Sequence, residues 1–470
     1  MTVKVLEMQD GLPKPQRFLA IAALSAGTAL TIIDGGIATV ALPTIATDLK
    51  VDSSAVVTVV TVYQLIFAMA LLPFSGLGDR IGLKRMYQYG QLIFTVATIL
   101  CFFAKSLPFL LVVRAAQALG ASAALSVSSA LIRATYPAKQ LGRGLGINSV
   151  IVTSSAALAP TLGGLILTIA PWPWVFASAV PFAVASLLLG RALPDPRAHD
   201  EPFDVLGGVM CAAAIGLIIG GAESAVHGSS PVVSGAIVAT GIGIGWIFVR
   251  RERGEAKPIL PIDLLARPVL RLSVIGAYTA FIASMTLLLS TPFRLTHDYG
   301  WSAAEVGAAL APWPLTNMVV APLSGWLSDR YPAGILGGVG MSISITALLL
   351  IAFMPADPGY FDIAWRMALC GGGFGMFLSP NARLVIGSAP RERAAAAGGL
   401  VSTVRLVGQT TGATLVAALL AFGVGAGRTP PLVAAGFALV AGLCSVARLR
   451  PSIRNPKSEE EQDVQPAPSR

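Results

Sequence analysis

One acidic residue lies deep inside an apolar stretch of the chain. Asp34 follows the hydrophobic run Leu19–Ile33 and precedes Gly35 and Gly36, whereas the other acidic residues fall in predicted loops, tails or helix ends. A charge at that depth in a bilayer is costly, and acids retained there usually belong to ion or proton paths. Burial also moves carboxyl titration toward physiological pH. We interpret Asp34 as a proton carrier, with a structural partner for an arginine as the alternative.

Arg114 is expected at a similar height in the membrane. At about 1.5 Å per residue, Asp34 lies roughly 24 Å from the inner start of its predicted helix, in the outer third. By the same rule, Arg114 lies about 10 Å below the outer start of its own helix. Because a buried arginine needs a partner, we expect an ion pair with Asp34. Proton uptake by Asp34 would weaken this pair and free the helices to rearrange.

Two further arginines lie inside predicted membrane helices. Arg405 falls near the middle of its helix, where no interior carboxylate remains for it. It must therefore bind helix carbonyls, a polar cavity or an anion of a substrate. Arg366 can pair with Asp362, one helical turn away on the same helix.

The composition indicates an integral membrane protein. Hydrophobic residues make up 54% of the 470 residues and charged residues 12%, and the mean hydropathy is +0.73. Apolar runs such as Ala55–Leu72 and Ile335–Met354 match the roughly 20 residues that a helix needs to cross a ~30 Å hydrocarbon core. Only helices and closed barrels satisfy their backbone in lipid, and the runs lack the period-two alternation of barrel strands. The fold class is therefore predicted to be all-α.

The apolar runs, read against charged residues and Pro/Gly breaks, predict about fourteen membrane helices. Their positions are 18–42, 54–76, 86–104, 108–131, 144–170, 173–190, 204–222, 232–249, 270–291, 303–327, 334–354, 361–382, 395–424 and 431–447. With both termini in the cytoplasm, most of the 33 lysines and arginines fall in inner segments, as the positive-inside rule requires. A multi-pass location in the inner (plasma) membrane follows.

An internal repeat organises these helices. The second predicted helix ends in Pro73–Gly82 and the tenth in Pro322–Pro332, and both endings carry an Asp-Arg pair. Helices one to six thus resemble helices nine to fourteen, which predicts two pseudo-symmetric bundles. The predicted parts are a cytoplasmic segment (1–17), an N-terminal six-helix bundle (18–190), an inserted helix pair (204–249), a C-terminal six-helix bundle (270–447) and a disordered cytoplasmic tail (448–470).

The repeated Asp-Arg loops are candidates for a cytoplasmic gate. An acid at the end of one helix can cap the next and bridge to basic residues across the bundle, holding the inner side closed. Positive-inside anchoring explains the basic residues but not the recurring aspartate. The gate candidates are Asp79, Arg80, Gly82, Lys84, Arg85, Asp329 and Arg330.

The fifth predicted helix carries small residues that allow close helix contact. Gly163 and Gly164 form a smooth face with nearby alanines, and Pro160 is expected to kink the helix. A substrate cavity between the bundles is expected to be lined by aromatic and polar side chains, although aromatics are also normal in cores. The cavity candidates are Tyr63, Gln64, Phe67, Gln117, Tyr278, Phe281, Trp313, Asn317 and Arg405.

Four motifs resemble the major facilitator superfamily, and specifically its fourteen-helix drug:proton antiporter branch. The segment Ser75–Arg85 resembles the GxLxDRxGRK signature, with Ser75 in place of the first glycine and Leu83 in place of a basic residue. Ile33–Pro43 resembles the LDxTIVNVALP signature, with Gly36 in place of threonine. Arg114–Gly120 resembles the RxxQG signature, and Ala159–Gly164 resembles GPxxGG, with Ala159 in place of the first glycine.

The resemblance implies that Asp34 is the proton-coupling acid and that Arg114 takes part in coupling. It implies a proton-driven exporter of lipophilic or amphipathic small molecules, which works by alternating access and without a cofactor. Expected partners are the small-molecule substrate, protons and the lipid bilayer, with no nucleic acid and a monomeric state. Relatives that export dications carry an acid deep in the tenth helix, where this chain has only Glu305 at the outer edge.

Two other functions remain open from the sequence. A proton-coupled importer of a small organic acid is favoured by Arg405 and by the altered GPxxGG motif. A non-transporting sensor or scaffold would need a folded output domain, and the longest loop, about 20 residues over Arg250–Val269, is too short for one. No enzyme or metal site is expected, because the four cysteines lie singly in apolar runs and the histidines fall in predicted loops.

Overall fold

The computed structural model describes residues 11–137, 140–195, 204–226, 228–253, 265, 267–328, 330–355, 357–387 and 394–450. Sixteen α-helices occur in this part of the chain. They are α1 (Lys14–Leu49), α2 (Ser53–Ile81), α3 (Leu83–Cys101), α4 (Leu107–Thr135), α5 (Leu141–Ile169), α6 (Pro173–Ala177), α7 (Val180–Leu189), α8 (Val205–Val226), α9 (Pro231–Glu252), α10 (Pro268–Tyr299), α11 (Ala303–Leu310), α12 (Pro312–Leu327), α13 (Ala333–Ala352), α14 (Tyr360–Gly387), α15 (Ala394–Ala421) and α16 (Thr429–Ala447).

The protein is a multi-pass membrane protein. Within the described ranges, eleven helical stretches are long and apolar enough to cross a membrane. Each predicted helix coincides with an observed helix or with a pair of consecutive helices. The number of crossings and their orientation remain predictions, because length and composition alone do not fix them.

Two predicted helices are interrupted by proline. The sixth divides into α6 and α7, with Pro181 at the start of α7. The tenth divides into α11 and α12 at Ala311, directly before Pro312 and Pro314. Proline has no amide hydrogen to donate to the preceding turn, so a continuous helix is not maintained at either point.

The ninth predicted helix is longer than its apolar core. The sequence predicts an end near residue 291 and a loop containing Arg294 and His297, which is wrong because α10 continues to Tyr299. Arg294 is buried, and its Nη1 donates to the carbonyl oxygen of Ile351 at 2.8 Å. This bond gives the guanidinium a partner inside the helix packing, so the charge does not end the helix.

The apolar core joins the two halves at one end of the molecule. We call this end, which carries the α1–α2 loop and is predicted to face outward, the outer end. There, one buried cluster combines α1 and α2 residues such as Ile45 and Val56 with Phe293 of α10 and Val416 of α15. At the opposite, inner end, the cluster around Met86 draws only on N-terminal helices. Among the described side chains, the halves therefore share a core mainly toward the outer end.

Helix α8 of the inserted pair packs beside the line where α2 meets α15. It contacts both of these helices as well as α9. Ile215 of α8 packs against the cluster that contains Phe67 of α2 and Leu406 of α15. A Cβ atom added at Gly216 would come within 2.7 Å of Met69 Cε, so α8 and α2 approach closely. Helix α8 thus covers one seam between the halves.

Candidate functional site

The acid and the arginine that share a predicted height form an ion pair. Arg114 Nη1 lies 2.7 Å from Asp34 Oδ2. Both residues are only 1% exposed, so the pair is shielded from water on all sides. In a low-dielectric interior such a pair persists only if further hydrogen bonds satisfy its remaining polar atoms.

Gln117 supplies those further hydrogen bonds. Its Nε2 donates to Asp34 Oδ1 at 3.0 Å and to Thr98 Oγ1 at 2.9 Å, and its Oε1 accepts from Arg114 Nη1 at 2.6 Å. Gln117 lies one turn after Arg114 on α4, so both side chains project to the same face. Gln117, which was predicted to line the cavity, is fully buried within this network.

Aromatic rings enclose the arginine. The Arg114 Cζ atom lies 4.2 Å from the ring centroid of Tyr63 and 5.1 Å from that of Phe176. Both distances fall within the range of cation–π attraction. Phe67 stacks on Tyr63, with a centroid distance of 6.1 Å. Tyr63 and Phe67, which were predicted cavity residues, are buried and form a wall of the ion-pair site.

Thr98 and Phe176 were not singled out from the sequence. Thr98 belongs to a polar series on α3, Gln91, Thr95 and Thr98, in which all three residues are buried. Their spacing of three to four residues places them on one helix face, which is a signal that could have identified the face turned toward α4. Phe176 lies in the short helix α6 and has no comparable signal.

The arrangement can exchange a proton for an ion-pair contact. Ionised Asp34 accepts one hydrogen bond from Arg114 and one from Gln117. A proton on Asp34 removes its negative charge and with it the Coulomb attraction to Arg114. The guanidinium then stays buried without a counter-charge, which favours a rearrangement that brings it a new partner or water.

The predicted cavity residues of the C-terminal half are partly exposed. Tyr278, Phe281, Trp313, Asn317 and Arg405 are each half-buried. The Tyr278 hydroxyl lies 3.1 Å from Thr411 Oγ1, which ties α10 to α15. On the N-terminal side, Gln64 is nearly buried, and its Nε2 donates to Met285 Sδ of α10 at 3.8 Å.

The two remaining interior arginines differ in their partners. Arg366 Nη1 lies 3.0 Å from Asp362 Oδ1 on the same helix, so the pairing expected from their spacing is present. Arg405 forms no ion pair with a carboxylate of the described residues, and its Nε has no hydrogen-bond partner there.

Small residues bring α5 against both α1 and α11. A Cβ atom on Gly163 would come within 2.9 Å of the Ile37 side chain, and one on Gly164 within 2.6 Å of the Ala303 carbonyl oxygen. A Cβ atom on Gly307 would likewise meet the Pro160 carbonyl oxygen at 2.5 Å. The two halves therefore touch through their backbones at the outer end, which only glycine permits at these positions.

Replacing Gly164 with leucine is expected to prevent this contact. Overpacking a tight interface costs about 1–3 kcal/mol, so outer closure becomes about fivefold to 150-fold less favourable. We expect transport to fall. Ser290 is buried in this structure, and we expect a cysteine introduced at this position to become reactive toward an impermeant thiol reagent added outside. Gly436→Leu is the matched control, because a Cβ atom at Gly436 meets nothing within 4 Å. Unchanged transport and labelling in Gly164→Leu would contradict this account.

The predicted gate lies mostly at exposed positions. Arg80, Arg85 and Arg330 are exposed. The Arg330 Cζ atom lies 4.4 Å from the ring centroid of Trp326. Lys84 Nζ donates to the Arg191 carbonyl oxygen at 2.7 Å, which is a contact within the N-terminal half. Gly82 has a φ of 102°, a conformation that favours glycine at the α2–α3 turn. The Asp79 side chain and Asp329 lie outside the described residues.

The fold and the site together define an all-helical membrane transporter, and comparison with known proteins gives its family. The model of the Major Facilitator Superfamily matches residues 24–413. The chain belongs to the Major Facilitator Superfamily, and it is a transporter rather than an enzyme.

Three relatives and one solved structure illustrate the range of similar proteins. The chain is 41% identical to the uncharacterized transporter YebQ of Escherichia coli, covering 94% of this chain and 97% of the relative. It is 27% identical to the riboflavin transporter RibZ of Clostridioides difficile, covering 83% of this chain and 85% of the relative. It is 28% identical to the multidrug resistance protein Stp of Mycobacterium tuberculosis, covering 88% of this chain and 78% of the relative. A bacterial homologue of the human lysosomal transporter Spinster shares the fold, with a TM-score of 0.63 at 18% identity, covering 97% of this chain and all of that one.

Proposed function

We propose that this protein is a proton-coupled exporter of amphipathic small molecules in the inner membrane. The observation that carries the proposal is the sealed network of Asp34, Arg114 and Gln117. A carboxylate that is both ion-paired and excluded from water changes its contacts when it binds a proton, and such acids in membranes usually serve proton paths. The proton gradient then drives the cycle without a cofactor.

Alternating access fits the distribution of contacts between the halves. Two pseudo-symmetric six-helix bundles, 18–190 and 270–447, would rock about the central site, with the pair 204–249 inserted between them in a fourteen-helix arrangement. The close backbone approaches of Gly164 to Ala303 and of Gly307 to Pro160, together with the shared apolar core, support a closed outer end. The separate clusters at the inner end support access from the cytoplasm. The Asp79-Arg80 and Asp329-Arg330 loops would close that side in the opposite state.

The names of several relatives favour export. Stp is a multidrug resistance protein, and a further relative from Streptomyces glaucescens is a tetracenomycin C resistance and export protein, 28% identical over 86% of this chain. The aromatic lining from Tyr278 and Phe281 suits a cargo with an apolar ring system. Hence we propose that the protein exports lipophilic or amphipathic compounds. A drug-susceptibility panel in an efflux-deficient host would identify them.

Export is tested by dye accumulation in cells that express the protein. We expect expressing cells to retain less of an amphipathic dye than empty-vector cells, and an uncoupler to remove the difference because it collapses the proton gradient. Gradient-independent efflux would exclude proton coupling. Higher retention in expressing cells would instead favour the second candidate, a proton-coupled importer of a small organic acid, for which Arg405 is the supporting observation.

A further inference from the structure

Arg405 differs from the other buried or half-buried arginines of the membrane helices and their ends, because it has no partner among the described residues. The others each contact a carboxylate, a carbonyl or a polar side chain; they are Arg17 with Leu12 and Gln140, Arg114 with Asp34, Arg251 with Asp204, Arg294 with Ile351, Arg366 with Asp362 and Arg448 with Ser273 and Asn381. Arg405 has no such contact within the described part of the chain. A half-buried guanidinium without a partner leaves up to five hydrogen-bond donors for a ligand.

No acid of a neighbouring helix is placed to pair with it. Arg405 lies near the middle of α15, which carries no acidic residue, and α15 packs against α2, α8, α10 and α14. The acids of these four helices lie near helix ends, at Asp79, Glu223, Asp298 and Asp362. The interior acid Asp34 is occupied by Arg114 and Gln117. Among the described side chains, the positive charge at Arg405 is therefore uncompensated.

The position of Arg405 on α15 directs it toward the aromatic cavity residues. Gly408, three residues later and on the same face, packs against Tyr278 and Phe281 of α10. Leu406, the next residue, packs in the cluster that contains Tyr63 and Phe67 of α2. The guanidinium thus lies where the C-terminal cavity residues approach the aromatic wall of the ion-pair site.

We propose that Arg405 binds an anionic group of the cargo, so that the transported class is aromatic organic anions bearing a carboxylate or sulfonate. A guanidinium fork matches these groups with paired, charge-assisted hydrogen bonds. The neighbouring rings take the apolar body of the same molecule. This inference rests on the proposed transport function and narrows its substrate class. It applies equally to export and to import.

The charge preference is measured with three probes that share one fluorophore. They are dansylglycine, which is an anion, dansylglycinamide, which is neutral, and dansylcadaverine, which is a cation. The gradient-driven uptake of each probe into everted membrane vesicles is measured beside the uptake of an amphipathic dye. We expect wild-type protein to move dansylglycine about tenfold faster than the amide, since a charge-assisted hydrogen bond contributes at least that factor in affinity. The cation is expected to be the poorest substrate.

Variants separate anion binding from a structural role. Arg405→Gln should lower dansylglycine uptake about tenfold, to the rate of the amide, while uptake of the amide stays the same. Arg405→Lys should keep part of the preference because it keeps the charge. Arg428→Gln removes an exposed charge at the start of α16 and should change neither rate.

Three outcomes would overturn the inference. They are equal rates for the three probes, a preference for dansylcadaverine, and an equal fall for all three probes in Arg405→Gln. In each case the dye can still move under the proton gradient, so the proposed function survives. Transport of the dye but of no dansyl probe also counts against anion binding. Failure to move the dye or any probe rejects the proposed function itself.

Discussion

The Asp34→Asn variant is expected to lose gradient-driven transport. Asparagine is isosteric with aspartate, and its single amide oxygen can still accept a hydrogen bond from Arg114. Its amide nitrogen only donates and cannot accept from Gln117, and the side chain cannot bind and release a proton. A gradient of one pH unit provides about 1.4 kcal/mol per proton, enough for about tenfold accumulation. The variant should lose this factor completely, so that cargo reaches equal concentrations on the two sides of the membrane.

The measurement is uptake of a substrate dye into everted vesicles under an imposed pH gradient. Asp52→Asn is the matched control, because this substitution makes the same chemical change at an exposed position just before α2. We expect the control to accumulate dye as the wild type does. Uphill accumulation by Asp34→Asn would mean that the proton is carried elsewhere, and the coupling proposal would be withdrawn.

Removing Arg114 alone is expected to destabilise the protein strongly. Removing the charges of both Arg114 and Asp34 is expected to destabilise it much less. Arg114→Ala leaves a buried carboxylate without its cation, a change that costs about 3–5 kcal/mol in comparable pairs. Arg114→Ala combined with Asp34→Asn leaves no uncompensated charge, so much of the lost stability should return. Both variants should fail to couple transport to protons, since the exchange between proton and guanidinium is absent.

Thermal unfolding of the purified protein in detergent tests this difference. Arg366→Ala is the control, since its partner Asp362 is partly exposed and keeps contact with water. If the double variant were as unstable as Arg114→Ala, the guanidinium would act through its packing on Tyr63 and Phe176 rather than through its charge.

The sequence by itself determined the class of protein, the positions of its helices and the height of its charges. Long apolar runs admit one kind of structure in lipid, and the fixed rise of a helix converts residue number into depth. Asp34 and Arg114 could therefore be placed at the same level before their contact was known. The same logic paired Arg366 with Asp362.

Only the tertiary structure decided which faces of the helices meet. A membrane helix is apolar toward lipid and toward its neighbours alike, so hydrophobic periodicity does not fix its rotation or its lateral order. For this reason the sequence did not place Gln117 inside the ion-pair network or bring Thr98 and Phe176 to it. The lack of a partner for Arg405 also depends on which helices surround α15, and packing alone sets that.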